Sequence, residues 1–148
     1  MSTAFRLQSV LRWRELQRDE CRQAWAEACR DEEKLRQRAE QLWEEIVSQQ
    51  ARRRQALDTG TVQLDAIQAR HCYELTLRHE LESLHHASAL AAQRRESQRQ
   101  AWQEADQAVE ALERLRERAA ESLAVSERRQ EQRETDDSAA RRWERRAG

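Results

Sequence analysis

No proline occurs anywhere in the 148 residues, and the one glycine that is not the terminal residue, Gly60, sits inside Asp58-Thr59-Gly60-Thr61. Proline breaks helix interiors by removing a donor and clashing with the preceding turn, and glycine weakens them through backbone entropy. A chain that lacks both on either side of one turn signal reads as two long helices joined by a single reversal. The expected fold is therefore all-α, a long antiparallel two-helix coiled-coil hairpin with the second helix overhanging. Helix 1 should cover about residues 3–57, the turn 58–61 and helix 2 about 62–142, with a frayed C-terminal end, all in one coiled-coil domain spanning 1–148. Such a shape leaves little room for an enclosed pocket. It suits contact with other proteins.

Charged residues make up 37% of the chain, and Ala, Glu, Gln, Arg and Leu dominate it. That is the composition of coiled coils rather than of a domain with a thick core. Lysine and arginine number 27 against 28 aspartates and glutamates, so no bulk field favours polyanions or anionic lipid. Met1 to Arg6 lead straight into amphipathic sequence without an apolar stretch of signal-peptide length. No apolar run approaches the roughly 18 residues that a membrane span needs. The three cysteines, Cys21, Cys29 and Cys72, have no zinc-like spacing and read as free thiols. The expectation is a soluble cytoplasmic protein without a cofactor.

In the first half, one row advances by alternating steps of four and three: Leu7, Leu11, Arg14, Arg18, Cys21, Trp25, Ala28, Glu32, Leu35, Ala39, Leu42, Ile46. The second half has its own row, from Leu77, Leu81 and Leu84 through Ser88, Ala91, Arg95, Gln98, Trp102 and Ala105 to Val109 and Leu112. An average step of about 3.5 is the coiled-coil seam. Folding the chain at Gly60 makes facing residue numbers add to about 120, which sets Leu11 against Val109, Leu35 against Leu84 and Leu42 against Leu77. The same frame puts Arg18 near Trp102 and Trp25 near Arg95 as guanidinium–indole contacts, Arg14 against Ala105 and Glu32 against Ser88.

A paired section of that length is about 80 Å long at 1.5 Å per residue. It leaves the second helix unpaired from about Arg116 onward. Leu115, Ala119, Leu123 and Val125 form a short apolar stripe there. Two readings stand side by side for the stripe, docking of a partner and further pairing with residues 1–6. Beyond it, Ser126 to Arg146 is almost wholly charged and polar, and its helicity rests on propensity and local salt pairs.

Four stretches, in order, resemble a known family. They are Phe5-Arg6-Leu7-Gln8-Ser9-Val10-Leu11-Arg12-Trp13-Arg14, then Gly60-Thr61-Val62-Gln63-Leu64 followed by Tyr73 and Leu77, then Leu112-Glu113-Arg114-Leu115-Arg116-Glu117-Arg118, and last the tail Glu131 to Ala139 with Asp136-Asp137. In that order and spacing the chain resembles the flagellar FliJ family over nearly its whole length. The resemblance implies a non-enzymatic component of the flagellar type III protein export apparatus. It would act as a stalk in the export ATPase ring and reach the cytoplasmic domain of the export gate and the export chaperones. It would sit in the cytoplasm, peripheral to the inner face of the cell membrane through that apparatus. The positions matching the family's gate contacts are Tyr73, Leu77, Glu80 and Leu84, with Glu80 in place of a small apolar residue and with Leu77 and Leu84 also on the seam. The overhang residues Leu115, Ala119, Leu123 and Val125 are the matching candidates for the ATPase ring. The equivalent stalk of a virulence type III secretion system shares the architecture. From another class, the alternative is a generic cytoplasmic coiled-coil scaffold.

Sharper chemistry finds little footing. Cys72, His79 and His86 repeat every seven residues, but such positions lie about 10.5 Å apart along a helix, while zinc ligands converge within about 2.0–2.3 Å of one ion. No glycine-rich phosphate loop is present, so an associated ATPase must be a separate subunit. Arg141-Arg142-Trp143-Glu144-Arg145-Arg146 is the one basic cluster with an aromatic. Glu131, Glu134, Asp136 and Asp137 upstream balance it, which favours a solvated tail over a nucleic-acid site.

Overall fold

The computed structural model describes residues 5–60 and 63–147, and nearly all of these are helical. Helix α1 runs Gln8–Asp58 and helix α2 runs Leu64–Ala147, with no strand among the described residues. The two pack against each other as an antiparallel hairpin, the architecture expected from the absence of proline.

The helix ends follow from local chemistry. A turn at Arg6 and Leu7 leads into α1, where Gln8 N–H donates to the Phe5 carbonyl at 2.9 Å and Leu11 N–H to that of Leu7 at 2.9 Å. The start expected near residue 3 thus moves to Gln8, with residues 3 and 4 outside the described part. At the other end, the Thr59 hydroxyl donates to the carbonyls of Gln55 and Ala56 at 3.1 and 3.2 Å. Gly60 follows with φ of +67°, the left-handed conformation that closes a helix and that a side chain disfavours. Thr61 and Val62 of the expected turn lie outside the described residues. In α2 the Gln63 carbonyl accepts from Ala66 and Ile67, Asp65 stands in the first turn, and Arg145 and Arg146 stand in the last. Both charge placements oppose the helix dipole. The helix continues to Ala147, past the expected end near residue 142, and arginine side chains tie this part to its own backbone. Arg141 Nε donates to the Asp137 carbonyl at 3.3 Å and Arg145 Nε to that of Arg141 at 3.2 Å.

The chain divides into two compact units, Asp19–Gln103, which contains the bend, and Met1–Arg18 with Glu104–Gly148. In the bend unit Ala39, Leu42 and Ile46 of α1 form one buried cluster with Leu77 and Leu81 of α2, and Leu84 packs against it. Closer to the middle of α1, Trp25 stacks on Trp102 with ring centroids 5.2 Å apart and planes 19° apart. This contact replaces the expected Trp25–Arg95 pair. Arg95 instead reaches Glu32 at 2.9 Å. In the terminal unit Arg18 pairs with Asp106 at 4.0 Å, and Arg14 lies over the neighbouring Trp13 ring at 4.9 Å. Trp102 for Trp25, Arg95 for Glu32 and Asp106 for Arg18 each sit about one to two helical turns further along α2 than the expected frame. Leucine layers repeat with the seam and tolerate such a shift. The charges and tryptophans do not, and they select the frame in which carboxylate meets guanidinium and indole meets indole. Leu11 and Val109, expected to face each other, are both fully buried in the terminal unit.

Candidate functional site

Two surfaces follow from the sequence expectations, one in each unit. In the bend unit the four gate-contact candidates separate by depth. Tyr73 is 47% exposed, whereas Leu77 is 6% exposed and belongs to the buried cluster. Leu84 is half-buried at the margin of that cluster. Glu80 is exposed and accepts from Arg38 Nη2 of α1 at 3.1 Å. Tyr73 and Glu80 are seven residues apart, so they lie on one stripe of α2 about 10.5 Å apart. Of the four, Tyr73 and Glu80 therefore stand at the surface, with Arg38 alongside Glu80. Leu77, and for the most part Leu84, face inward because their seam positions outrank their positions in the family pattern.

Behind Tyr73 lies a group that the leucine pattern did not reveal. Glu74 is only 3% exposed, yet it is satisfied on both oxygens. Its Oε1 accepts from Gln50 Nε2 at 3.0 Å and from Arg78 Nη2 at 2.7 Å, and its Oε2 accepts from Arg53 Nη1 at 2.8 Å. The Gln50 hydrogen bond holds the Glu74 carboxyl below the usual carboxylate range. Burial opposes that shift, and the charges of Arg53, Arg78 and His71 add to it. The signal was present in the spacing, since Glu74 lies one short step before Leu77 and Arg53 one heptad after Ile46.

In the terminal unit the stripe divides. Ala119 and Leu123 line an open groove of about 1280 Å³ whose other wall is Phe5, Leu7 and Gln8. Val125 lines a separate shallow face with Arg118, Glu121, Arg129 and Arg133. Leu115 is 45% exposed. The N-terminal residues thus stand beside part of the stripe, while the groove between them stays open. Every residue from Glu127 to Ala147 is exposed. Leu7, expected on the seam, is 39% exposed, and Val10, Trp13 and Leu16, which follow it at steps of three, are exposed as well, with Leu16 at 63%. Trp43 and Val47, one turn apart on α1 in the bend unit, are exposed as well.

Among the described residues, no three His, Cys, Asp or Glu side chains are grouped to hold a metal ion. Cys21 and Cys29 are half-buried free thiols and Cys72 is an exposed one. Among the same residues no helix is long and apolar enough to cross a membrane.

A two-helix hairpin with a thin seam, open grooves and apolar side chains left on its surface defines an all-α coiled-coil protein. The family described as Flagellar FliJ protein matches residues 3–148, essentially the whole chain, and this protein belongs to that family. It is accordingly a component of flagellar type III export. No curated protein and no solved structure matches the chain.

Proposed function

We propose that this chain is the stalk of the flagellar export ATPase ring, a non-enzymatic link from that ring to the cytoplasmic domain of the export gate and to the export chaperones. Membership of the family over residues 3–148 carries the reading. The exposed stripe of Tyr73 and Glu80 supports a gate contact in the bend unit. A large aromatic with a polar tip is the kind of residue enriched where proteins meet. Leu115, Ala119, Leu123 and Val125, with the open groove beside Phe5 and Leu7, support a ring contact in the terminal unit. The protein would work in the cytoplasm, held at the inner face of the cell membrane by its partners and not by insertion.

The test is a paired pull-down from a flagellated bacterial lysate with this chain as bait, followed by an ATPase assay with the captured enzyme. Capture of the export ATPase and a change in its turnover on adding the chain are the expected results. Absence of the ATPase from the eluate together with unchanged turnover would overturn the stalk reading and leave a generic scaffold.

A further inference from the structure

We infer that three of the charge pairs crossing the seam form a code that makes α1 and α2 pair antiparallel in one register, in preference to a slipped register or to a parallel pair with a second copy. In sequence order, α1 carries Arg18, Glu32 and Arg53 on its seam, and α2 carries Glu74, Arg95 and Asp106. The signs run plus, minus, plus on α1 and minus, plus, minus on α2. Folded back, every cation meets an anion, with Arg53–Glu74 at 2.8 Å, Glu32–Arg95 at 2.9 Å and Arg18–Asp106 at 4.0 Å.

A parallel pair of chains and the slipped registers of the hairpin fail at these positions. In a parallel pair of two chains each seam residue faces its own copy, so Arg53 would meet Arg53 and Glu74 would meet Glu74. Within one chain, the apolar layers alone do not fix register, because leucines return every heptad. Sliding α2 by one heptad brings Leu84 or Arg70 to the layer of Leu77. The same slide moves Glu74 from Gln50 and Arg53 to Trp43 and Ile46, or in the other direction to Leu57 and Gly60. None of those four can neutralise a carboxylate. Opposite Glu32 it replaces Arg95 with Ser88 or Trp102.

Glu74 decides the outcome, because it is the one buried charge of the set and leaving it unpaired is far costlier than separating the two half-exposed pairs. Arg78, one turn on in α2, travels with Glu74 in any slip and cannot discriminate. Gln50 and Arg53 are on α1 and can. A buried polar group that fixes register and partner number is the best-attested use of such groups in coiled coils. Here the group also anchors the turn of α2 that carries Tyr73, so the code holds that residue on the outside.

The experiment combines sedimentation equilibrium with distances between spin labels at Gln41 and Glu82, both exposed in the bend unit. Wild-type chain should be monomeric with one narrow distance. Glu74→Leu should keep its helicity but add a second population, displaced by about 10.5 Å along the helix axis, and self-association at least about tenfold tighter. Glu74→Arg should do the same more strongly. The triple reversal Arg53→Glu, Glu74→Arg, Arg78→Glu should restore the single distance and the monomer. A Glu74→Leu chain that stays monomeric with the wild-type distance would overturn the code, since apolar layers and turn would then suffice. Should Glu74→Leu fail to fold, the triple reversal decides. Recovery of the hairpin supports the code, and its absence overturns it.

Discussion

Trp25 and Trp102 stack across the seam at 5.2 Å, and the Trp25 indole Nε1 is buried there without a hydrogen-bond partner. The contact gains aromatic area and loses one polar satisfaction. A buried donor without an acceptor costs about 1–3 kcal/mol, whereas an aromatic pair contributes about 0.5–1.5 kcal/mol beyond its area. Trp25→Phe keeps a ring in the stack and removes the orphaned donor. Thermal denaturation should find Trp25→Phe at least as stable as wild type, with Trp25→Ala less stable by roughly 2–4 kcal/mol.

Acid should weaken the bend through Glu74. Its carboxyl is held below its ordinary value of 4.5 in the folded chain, so its stabilisation is fully present above that value. The contribution is lost as pH falls from there through the folded-state value, because the unfolded chain then binds the proton more readily. Chemical denaturation of wild type and Glu74→Gln as a function of pH should show a gap at pH 7 that narrows steadily below about pH 4.5. A gap that stays constant to the lowest pH would mean that shape and not charge matters at this position.

Gly60 should resist substitution for a conformational reason alone. Nothing lies within 4 Å of a Cβ built at that position, yet its φ is +67°. Gly60→Ala should therefore cost about 1–2 kcal/mol, read from the denaturation midpoint, with helicity unchanged. Gly60→Asn should cost less, since asparagine visits the left-handed region more readily.

The two proposed contacts should separate by mutation. Tyr73→Ala should weaken gate binding and swimming while leaving circular dichroism and ATPase capture nearly intact, because the side chain is half out in solvent. Leu123→Glu should weaken ATPase capture instead, since a charge on the groove wall must be desolvated when the groove is covered. Loss of the same partner in both mutants would end the division of contacts. Unfolding by Tyr73→Ala would remove Tyr73 from the site.

How far the sequence carries this architecture depends on which residues carry the information. Missing proline and one turn signal at Gly60 define two helices and their reversal, and the leucine rows find Leu42, Leu77 and Leu81 as core. Register is another matter. Layers such as Leu35 and Leu84 satisfy many offsets, so periodic residues alone do not fix the facing frame, and they set Trp25 against Arg95 where the structure has Trp102. Glu74 stayed hidden because a charged residue at a seam position reads as an interruption until its cations are placed opposite. The candidate site suffered from the same ambiguity. Leu77 occupies both a family contact position and a seam position, and only the folded arrangement assigns it to the core.

The uninterrupted exposure of Glu127 to Ala147 gives that stretch a thermodynamics of its own. No second layer ties it to the cooperative transition, so its helix–coil equilibrium is set by propensity, arginine back-bonding and end charges, and it relaxes on the fast timescale of isolated helices. Its amides should exchange with solvent at rates insensitive to small amounts of denaturant, while those near Leu11 and Val109 track global opening. A ligand that captures the stretch then meets a helix whose order can be tuned without disturbing the fold that bears it, and binding strength becomes adjustable by surface substitutions alone.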